Sequence, residues 1–234
     1  MISEDALGTR KRISKKDLKH DALLESASKT TKFIEDHLNK VLIGVLVVVV
    51  AIVAWSFISK SKRATALQAN AALTNATQAL NSGLYAQAQE QLKQLTVQYP
   101  GTRSAGAAVC YLGTIHFQEG RFEEALASFN EYLDRYGRDG VLGITALEGK
   151  AAVLEQQREF VQAAATYEEL AGLSSDNPPA YARYTLDAIR VYRSEADWQA
   201  VASAAERLLE EHPDARLAGQ ARMALAEART RLQA

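Results

Sequence analysis

The hydrophobic and polar positions divide the chain into three stretches with different patterns. Residues 1–40 are mostly polar, 41–58 are apolar without a charged residue, and 64–234 show apolar positions at helical spacing. At 1.5 Å per residue, a helix over 41–58 is about 27 Å long, close to the hydrocarbon thickness of a bilayer. The pattern therefore predicts an all-α protein with a single transmembrane helix at 41–58 and a helical domain at 64–234.

The apolar stretch 41–58 has three interpretations. A buried core helix of a soluble protein seldom lacks a polar residue for so long. A cleaved signal peptide is suggested by Ala64-Thr65-Ala66, but 40 residues precede the apolar stretch and three basic residues lie before the predicted cleavage site. We therefore predict an uncleaved signal anchor at 41–58, preceded by a basic, partly disordered tail at 1–40.

The distribution of charge predicts how the anchor is oriented. Residues 1–40 carry 9 Lys or Arg and 7 Asp or Glu, whereas 64–234 carry 15 and 21. The segments directly before and after the anchor carry equal numbers of basic residues. The basic cluster at 10–19 adds positive charge on the amino-terminal side and favours a cytoplasmic amino terminus. The acidic repeat domain would then lie on the other side of the membrane. The cluster either binds acidic lipid headgroups or serves only as a topology signal, and the acidic domain does not suit nucleic acid.

A motif recurs along the helical domain with a period of 37 or 38 residues. Each copy has a turn position, a bulky aromatic residue two positions later, and a small residue three positions after that. The copies are Gly83, Tyr85 and Ala88; Gly120, Phe122 and Ala125; Arg158, Phe160 and Ala163; and Ala196, Trp198 and Val201. A fixed period of this kind predicts an α-solenoid of about four tetratricopeptide-like helix pairs, with a capping helix at 215–232.

The first helix of each pair is expected to line a concave groove. Eight candidate partner-binding positions, which we call the groove residues, are Leu73, Leu80, Phe117, Glu148, Glu155, Arg183, Arg190 and Arg193. Their side chains grade from apolar through acidic to basic, which suits a peptide with an apolar segment and an acidic end. Alternatively, Arg190 and Arg193 pair with Glu148 and Glu155 as structural ion pairs.

The sequence contains no motif for catalysis, a cofactor or a metal. Cys110 is the single cysteine, the four histidines lie on separate elements, and no phosphate-binding or zinc-protease motif occurs. The segment GRDGVLG at 137–143 lacks the strand and the lysine of a phosphate loop, so we predict a helix connector. We expect no enzyme, cofactor or small-molecule substrate, with Cys110 either a buried apolar residue or a reactive thiol, and His116 a packing residue.

The charged tail, the anchor at 41–58 and the repeats that begin almost directly after Arg63 resemble the bacterial family of YfgM-like ancillary subunits of the Sec translocon. The fragments YPGTRSA at 99–105 and YLG at 111–113 resemble periplasmic repeat proteins of envelope assembly and division. The resemblance implies an inner-membrane protein with a periplasmic repeat domain that assists protein export or envelope assembly, with translocon subunits, exported clients or chaperones as partners and lipid contacted through the anchor. A structural accessory subunit of a larger membrane complex is the alternative function.

Overall fold

The computed structural model describes the backbone of residues 38–234 and the side chains of Lys40 and residues 42–234. The predictions for residues 1–37, including the basic cluster at 10–19, lie outside the described residues. Contacts divide the chain into two compact units, with the boundary between Ser61 and Lys62.

The described part of the chain is all-α, as the sequence pattern predicts. It contains nine helices joined by short turns, and no strand. The helices are α1 (Leu38–Asn81), α2 (Tyr85–Gln98), α3 (Arg103–Gln118), α4 (Phe122–Tyr136), α5 (Gly140–Gln156), α6 (Phe160–Leu173), α7 (Pro178–Ser194), α8 (Trp198–Glu211) and α9 (Ala218–Gln233). From residue 62 onward, four helix pairs and the last helix form the predicted solenoid.

Helix α1 contains the apolar stretch and continues to Asn81 without a break. All side chains from 42 to 58 are exposed, including Trp55 at 76% and Phe57 at 74%. That exposure excludes a buried core helix for this stretch. Among the described residues, α1 is the one helix whose length and composition suit it to cross a membrane.

Each helix pair turns at the position that the repeat motif predicts. The four turn residues have positive φ angles: 76° at Gly83, 74° at Gly120, 62° at Arg158 and 56° at Ala196. The aromatic residue two positions later begins the second helix of every pair. Left-handed backbone costs a residue with a side chain about 1–2 kcal/mol, so the third and fourth turns are strained.

Replacing Ala196 by glycine is therefore expected to raise the free energy of unfolding by about 1 kcal/mol. The matched control is Ala127→Gly at an exposed position within α4, which is expected to lower it by about the same amount. Urea unfolding of the full chain in mild detergent measures both. A loss of stability in both variants would contradict the assigned turn.

The core of the repeat domain consists of two clusters of buried side chains. The first joins α1, α2 and α3 through residues such as Ala76, Leu92 and Leu112. The second extends from Val109 in α3 to Ala228 in α9. The small residues of the motif have no exposed surface in any copy: Ala88, Ala125, Ala163 and Val201. Their size allows the two helices of a pair to approach closely.

Two glycines on neighbouring helices receive the ring of Phe129, which is 2% exposed. A methyl carbon added to Gly113 of α3 would lie 2.8 Å from the ring, and one added to Gly149 of α5 would collide with it. The missing side chains thus let α4 wedge between α3 and α5.

The last helix covers the end of the solenoid, as predicted, but it begins at Ala218 rather than Ala215. Residues 213–217 form a turn, with a hydrogen bond from the Ala218 amide to the Ala215 carbonyl at 2.8 Å. Four alanines of α9 are buried in the domain: Ala218, Ala221, Ala224 and Ala228.

Candidate partner-binding surfaces

The apolar groove residues are half-buried in the structure. Leu73 and Leu80 of α1 pack against the first core cluster. Phe117 of α3 packs against the second, with its ring centroid 5.7 Å from that of Phe122. These side chains therefore contribute part of their surface to the domain itself, and only the remaining part can contact a partner.

The first pair of charged groove residues forms an ion pair between α5 and α7. The Arg183 guanidinium donates to Glu148 Oε1 at 2.6 Å, and the Tyr184 hydroxyl donates to the same oxygen at 2.8 Å. Arg183 also lies 4.1 Å from the centroid of the Tyr184 ring. Burial and the bond to Glu148 raise the pKa of Tyr184 to about 12, so this hydroxyl remains a donor at neutral pH.

The second pair joins the same two helices about two turns further along. Arg190 donates through both terminal nitrogens to the two oxygens of Glu155, and the Tyr167 hydroxyl donates to Glu155 Oε1 at 2.7 Å. The bond from Arg190 lowers the pKa of Glu155. Arg190 also reaches Asp187 Oδ1 at 3.5 Å. A two-armed contact of this kind orients both side chains.

Arg193 pairs with the capping helix. Its guanidinium lies 2.6 Å from Glu227 Oε2 of α9. The structural alternative for the arginines is thus confirmed for Arg190, whereas the partner of Arg193 is neither Glu148 nor Glu155. We call the three pairs 148–183, 155–190 and 193–227 the ion-pair ladder. Every charged groove residue is thus paired within the domain, and the role of these residues in partner binding stays a prediction.

Three residues that bond or pair with the groove residues were not among those predicted for the groove, namely Tyr167, Tyr184 and Glu227. A signal was present for the ion pairs, because Glu148–Arg183 and Glu155–Arg190 are both 35 residues apart. One repeat is 37 or 38 residues, so a separation of 35 is one repeat minus slightly less than one helical turn. Such a separation places the two side chains on facing helices. The tyrosines carry no comparable spacing signal.

A cavity of about 580 Å³ opens beside the ladder, between the first turns of α5 and α7. Its lining combines the charged side chains Arg138 and Arg183 with Val141, which is 83% exposed. Arg138 is held by Glu169 of α6 at 2.6 Å. Residues 137–139 of the segment GRDGVLG connect α4 to α5, as predicted, and form one edge of this cavity, whereas residues 140–143 form the first turn of α5.

His116 and Cys110, the residues considered above for a chemical role, are packing residues in the structure. His116 is 9% exposed, and its Nδ1 lies 3.5 Å from the Ser128 hydroxyl. Cys110 is 3% exposed, and burial raises the pKa of its thiol to about 12. These positions favour the packing interpretation over a reactive thiol. The described residues contain no group of His, Cys, Asp and Glu side chains that could hold a metal.

We expect iodoacetamide at pH 8 to alkylate Cys110 more than about 100-fold more slowly in the native full chain than in guanidinium chloride, because the thiolate is the reacting form. The control is Cys110→Ala combined with Gln118→Cys, which places a thiol at an exposed position of the same helix. That thiol should react near the unfolded rate. Equal native rates at the two positions would contradict the burial of Cys110.

Known proteins that are similar to this chain have the same architecture of helical repeats. The family model described as tetratricopeptide repeat-like domain matches residues 31–183. A tetratricopeptide repeat protein from Parabacteroides merdae superposes with a TM-score of 0.54 and 21% identity, over 69% of this chain and 60% of that protein. A putative kinesin light chain with nearly identical TPR-like repeats, from Podosopora anserina, gives 0.54 and 13%, over 71% and 87%. These likenesses concern the fold, and no curated protein matches the sequence.

Proposed function

Because the chain belongs to the tetratricopeptide repeat-like domain family, we propose that it is a membrane-anchored module for protein–protein interaction. Stacked repeats of this kind present extended surfaces and act by binding other proteins. The observation that carries the proposal is a helix with an uninterrupted, exposed apolar stretch at 42–58 in the same chain as four helix pairs. We propose no catalytic role.

The proposed anchor is 41–58, with the repeat domain at 64–234 and a basic tail at 1–40. Lys60, Lys62 and Arg63 follow the apolar stretch and can reach lipid headgroups. We place the amino terminus in the cytoplasm and the repeat domain in the periplasm of a bacterial inner membrane. The balance of charge described above supports this orientation, and contact with lipid is through the anchor.

We propose that the partners are proteins of export or envelope assembly: translocon subunits, exported clients or chaperones. The resemblance of the anchor and repeats to YfgM-like translocon subunits supports this assignment. The groove residues are the proposed contact positions on the concave face. Within the ladder, Arg183 and Arg190 keep about half of their side-chain surface exposed, 53% each, and this surface is accessible to a partner.

Two measurements on the full chain test the function together. Affinity purification in mild detergent is expected to recover translocon components or exported clients. Protease added to spheroplasts is expected to digest the repeat domain, whereas the same protease added to inverted inner-membrane vesicles is expected to leave it intact. Protection in spheroplasts would place the domain in the cytoplasm and contradict the proposal.

The ion-pair ladder favours a second candidate, a structural accessory subunit fixed in a larger membrane complex. Charged side chains that pair with one another within the domain are less available to recognise a transient ligand. This candidate predicts stoichiometric co-purification that survives Arg190→Ala with Arg193→Ala but not removal of 41–58. The first candidate predicts that the same arginine substitutions weaken the recovery of partners, so one experiment separates the two.

A further inference from the structure

The first helix pair, formed by residues 64–81 of α1 together with α2, differs in composition from the rest of the repeat domain. Residues 64–100 contain two charged residues, Glu90 and Lys93, and 10 Asn or Gln residues. Residues 101–234 contain 14 Lys or Arg, 20 Asp or Glu, and 9 Asn or Gln. Charged side chains are depleted at the centres of protein interfaces, so this composition indicates a surface that another chain covers.

Large apolar side chains of the same helix pair are exposed. Val97 of α2 is 79% exposed and Leu67 of α1 is 72% exposed. Leu84 and Tyr85, at the turn between the two helices, are each more than half exposed. Covering such side chains with apolar groups of a partner is favourable in proportion to the area removed from water.

An amide-lined cleft separates the two helices. It encloses about 130 Å³ and is lined by Ala72, Asn75, Gln91, Gln94, Leu95 and Gln98. Gln91 Oε1 is buried there without a hydrogen-bond partner in the described part of the chain. Gln89 Nε2 of the same helix is likewise buried without a partner among the described residues, although Gln89 does not line the cleft. Buried polar atoms without a partner are rare in proteins, and each one calls for an explanation.

We infer that the α1–α2 cleft, together with exposed apolar residues of the same helix pair, binds an extended, uncharged segment of a second polypeptide. An Asn or Gln side chain offers one acceptor and one donor group, which match the N–H and C=O of a peptide unit. The cleft is too small for a folded element but accommodates a peptide group or a short side chain. Leu67 and Val97 supply apolar contacts, and the lack of charge disfavours charged segments. This inference rests on the proposed protein-binding function and specifies its ligand.

The test uses the full chain in mild detergent and a rhodamine-labelled 12-residue peptide of alternating Val, Thr, Leu and Ser. Fluorescence anisotropy is expected to show saturable binding, and a version of the peptide with four Glu residues is expected to bind at least about tenfold more weakly. Asn75→Glu with Gln98→Glu is expected to weaken binding of the uncharged peptide by about the same factor. The matched control, Gln118→Glu with Gln220→Glu, changes exposed amides outside the pair and should stay within about twofold.

The unpartnered Oε1 atom of Gln91 provides a second variant that separates an effect on binding from an effect on folding. Gln91→Leu keeps a side chain of similar size and removes the buried acceptor. We expect at least about fivefold weaker peptide binding with an unchanged or higher thermal midpoint, because a buried polar atom without a partner is lost. A lower midpoint together with unchanged peptide binding would show a purely structural role and overturn the inference.

Three further outcomes would also overturn it. Equal binding of the peptide to the wild type and to the Asn75 and Gln98 double variant would remove the cleft as its site. A dimer in sedimentation that dissociates in this double variant would assign the surface to a second copy of the chain. If the double variant still recovers every co-purifying protein, the inference fails while the anchored-module function stands. The function itself fails if the wild type recovers none.

Discussion

Replacing Phe129 with alanine is expected to lower the free energy of unfolding by about 3–5 kcal/mol. The ring is almost fully buried in the second core cluster, between α3 and α5. Its removal leaves a cavity that the flanking helices can close only in part, since their own partners hold them. Urea unfolding of the full chain, followed by circular dichroism, gives the change in free energy.

Phe117→Ala is the matched control for Phe129→Ala. Phe117 is half-buried and packs against the same cluster from the edge, so its loss is expected to cost no more than about half as much, in line with the smaller area buried. Equal losses for the two variants would contradict the wedge that Phe129 forms between α3 and α5.

The second large effect is expected for Gly143→Ala in the first turns of α5, with a loss of about 3 kcal/mol. A methyl carbon at this position collides with the backbone carbonyl of Arg138. A backbone group cannot rotate away as a side chain does, so either the connector before α5 or the helix itself must shift. The unfolding free energy and the mobility of the connector, seen as faster amide exchange at 138–142, report the change.

Gly219→Ala tests the same substitution where there is room. Nothing lies within 4 Å of a methyl carbon added at Gly219 in α9, so alanine is expected to leave stability unchanged or raise it by up to about 1 kcal/mol. A loss at Gly219 as large as that at Gly143 would show that the collision with Arg138 does not determine the effect.

The positions that the sequence predicted best are those that every helix pair repeats. The turn at Arg158 was identified without a glycine, because Phe160 and Ala163 stand in register with the other copies. A small residue and a turn are local requirements, so their spacing is visible along one chain. The capping helix was predicted from its own apolar pattern at 215–232, and the structure places it at Ala218–Gln233.

Apart from the pairing of Arg190 with Glu155, the contacts between helix pairs could not be predicted in the same way. Gly149 permits the approach of Phe129, but nothing in the sequence near Gly149 identifies that ring. Likewise, Arg193 and Glu227 are brought together by the packing of α9, which the repeat period does not determine. Pairings of this kind depend on how neighbouring helices are rotated against each other, and a single sequence does not record that rotation.

The two core clusters have a consequence for the order in which the domain opens. α3 contributes Ala105, Ala108 and Leu112 to the first cluster but Val109 and Cys110 to the second. The first helix pair is held mainly by the smaller cluster, so it can unfold locally while α4–α9 stay intact, as solenoids do when neighbouring repeats are coupled weakly. A partner that docks on α1 and α2 would hold this pair folded. Its binding energy would thereby stabilise this end of the solenoid against local unfolding.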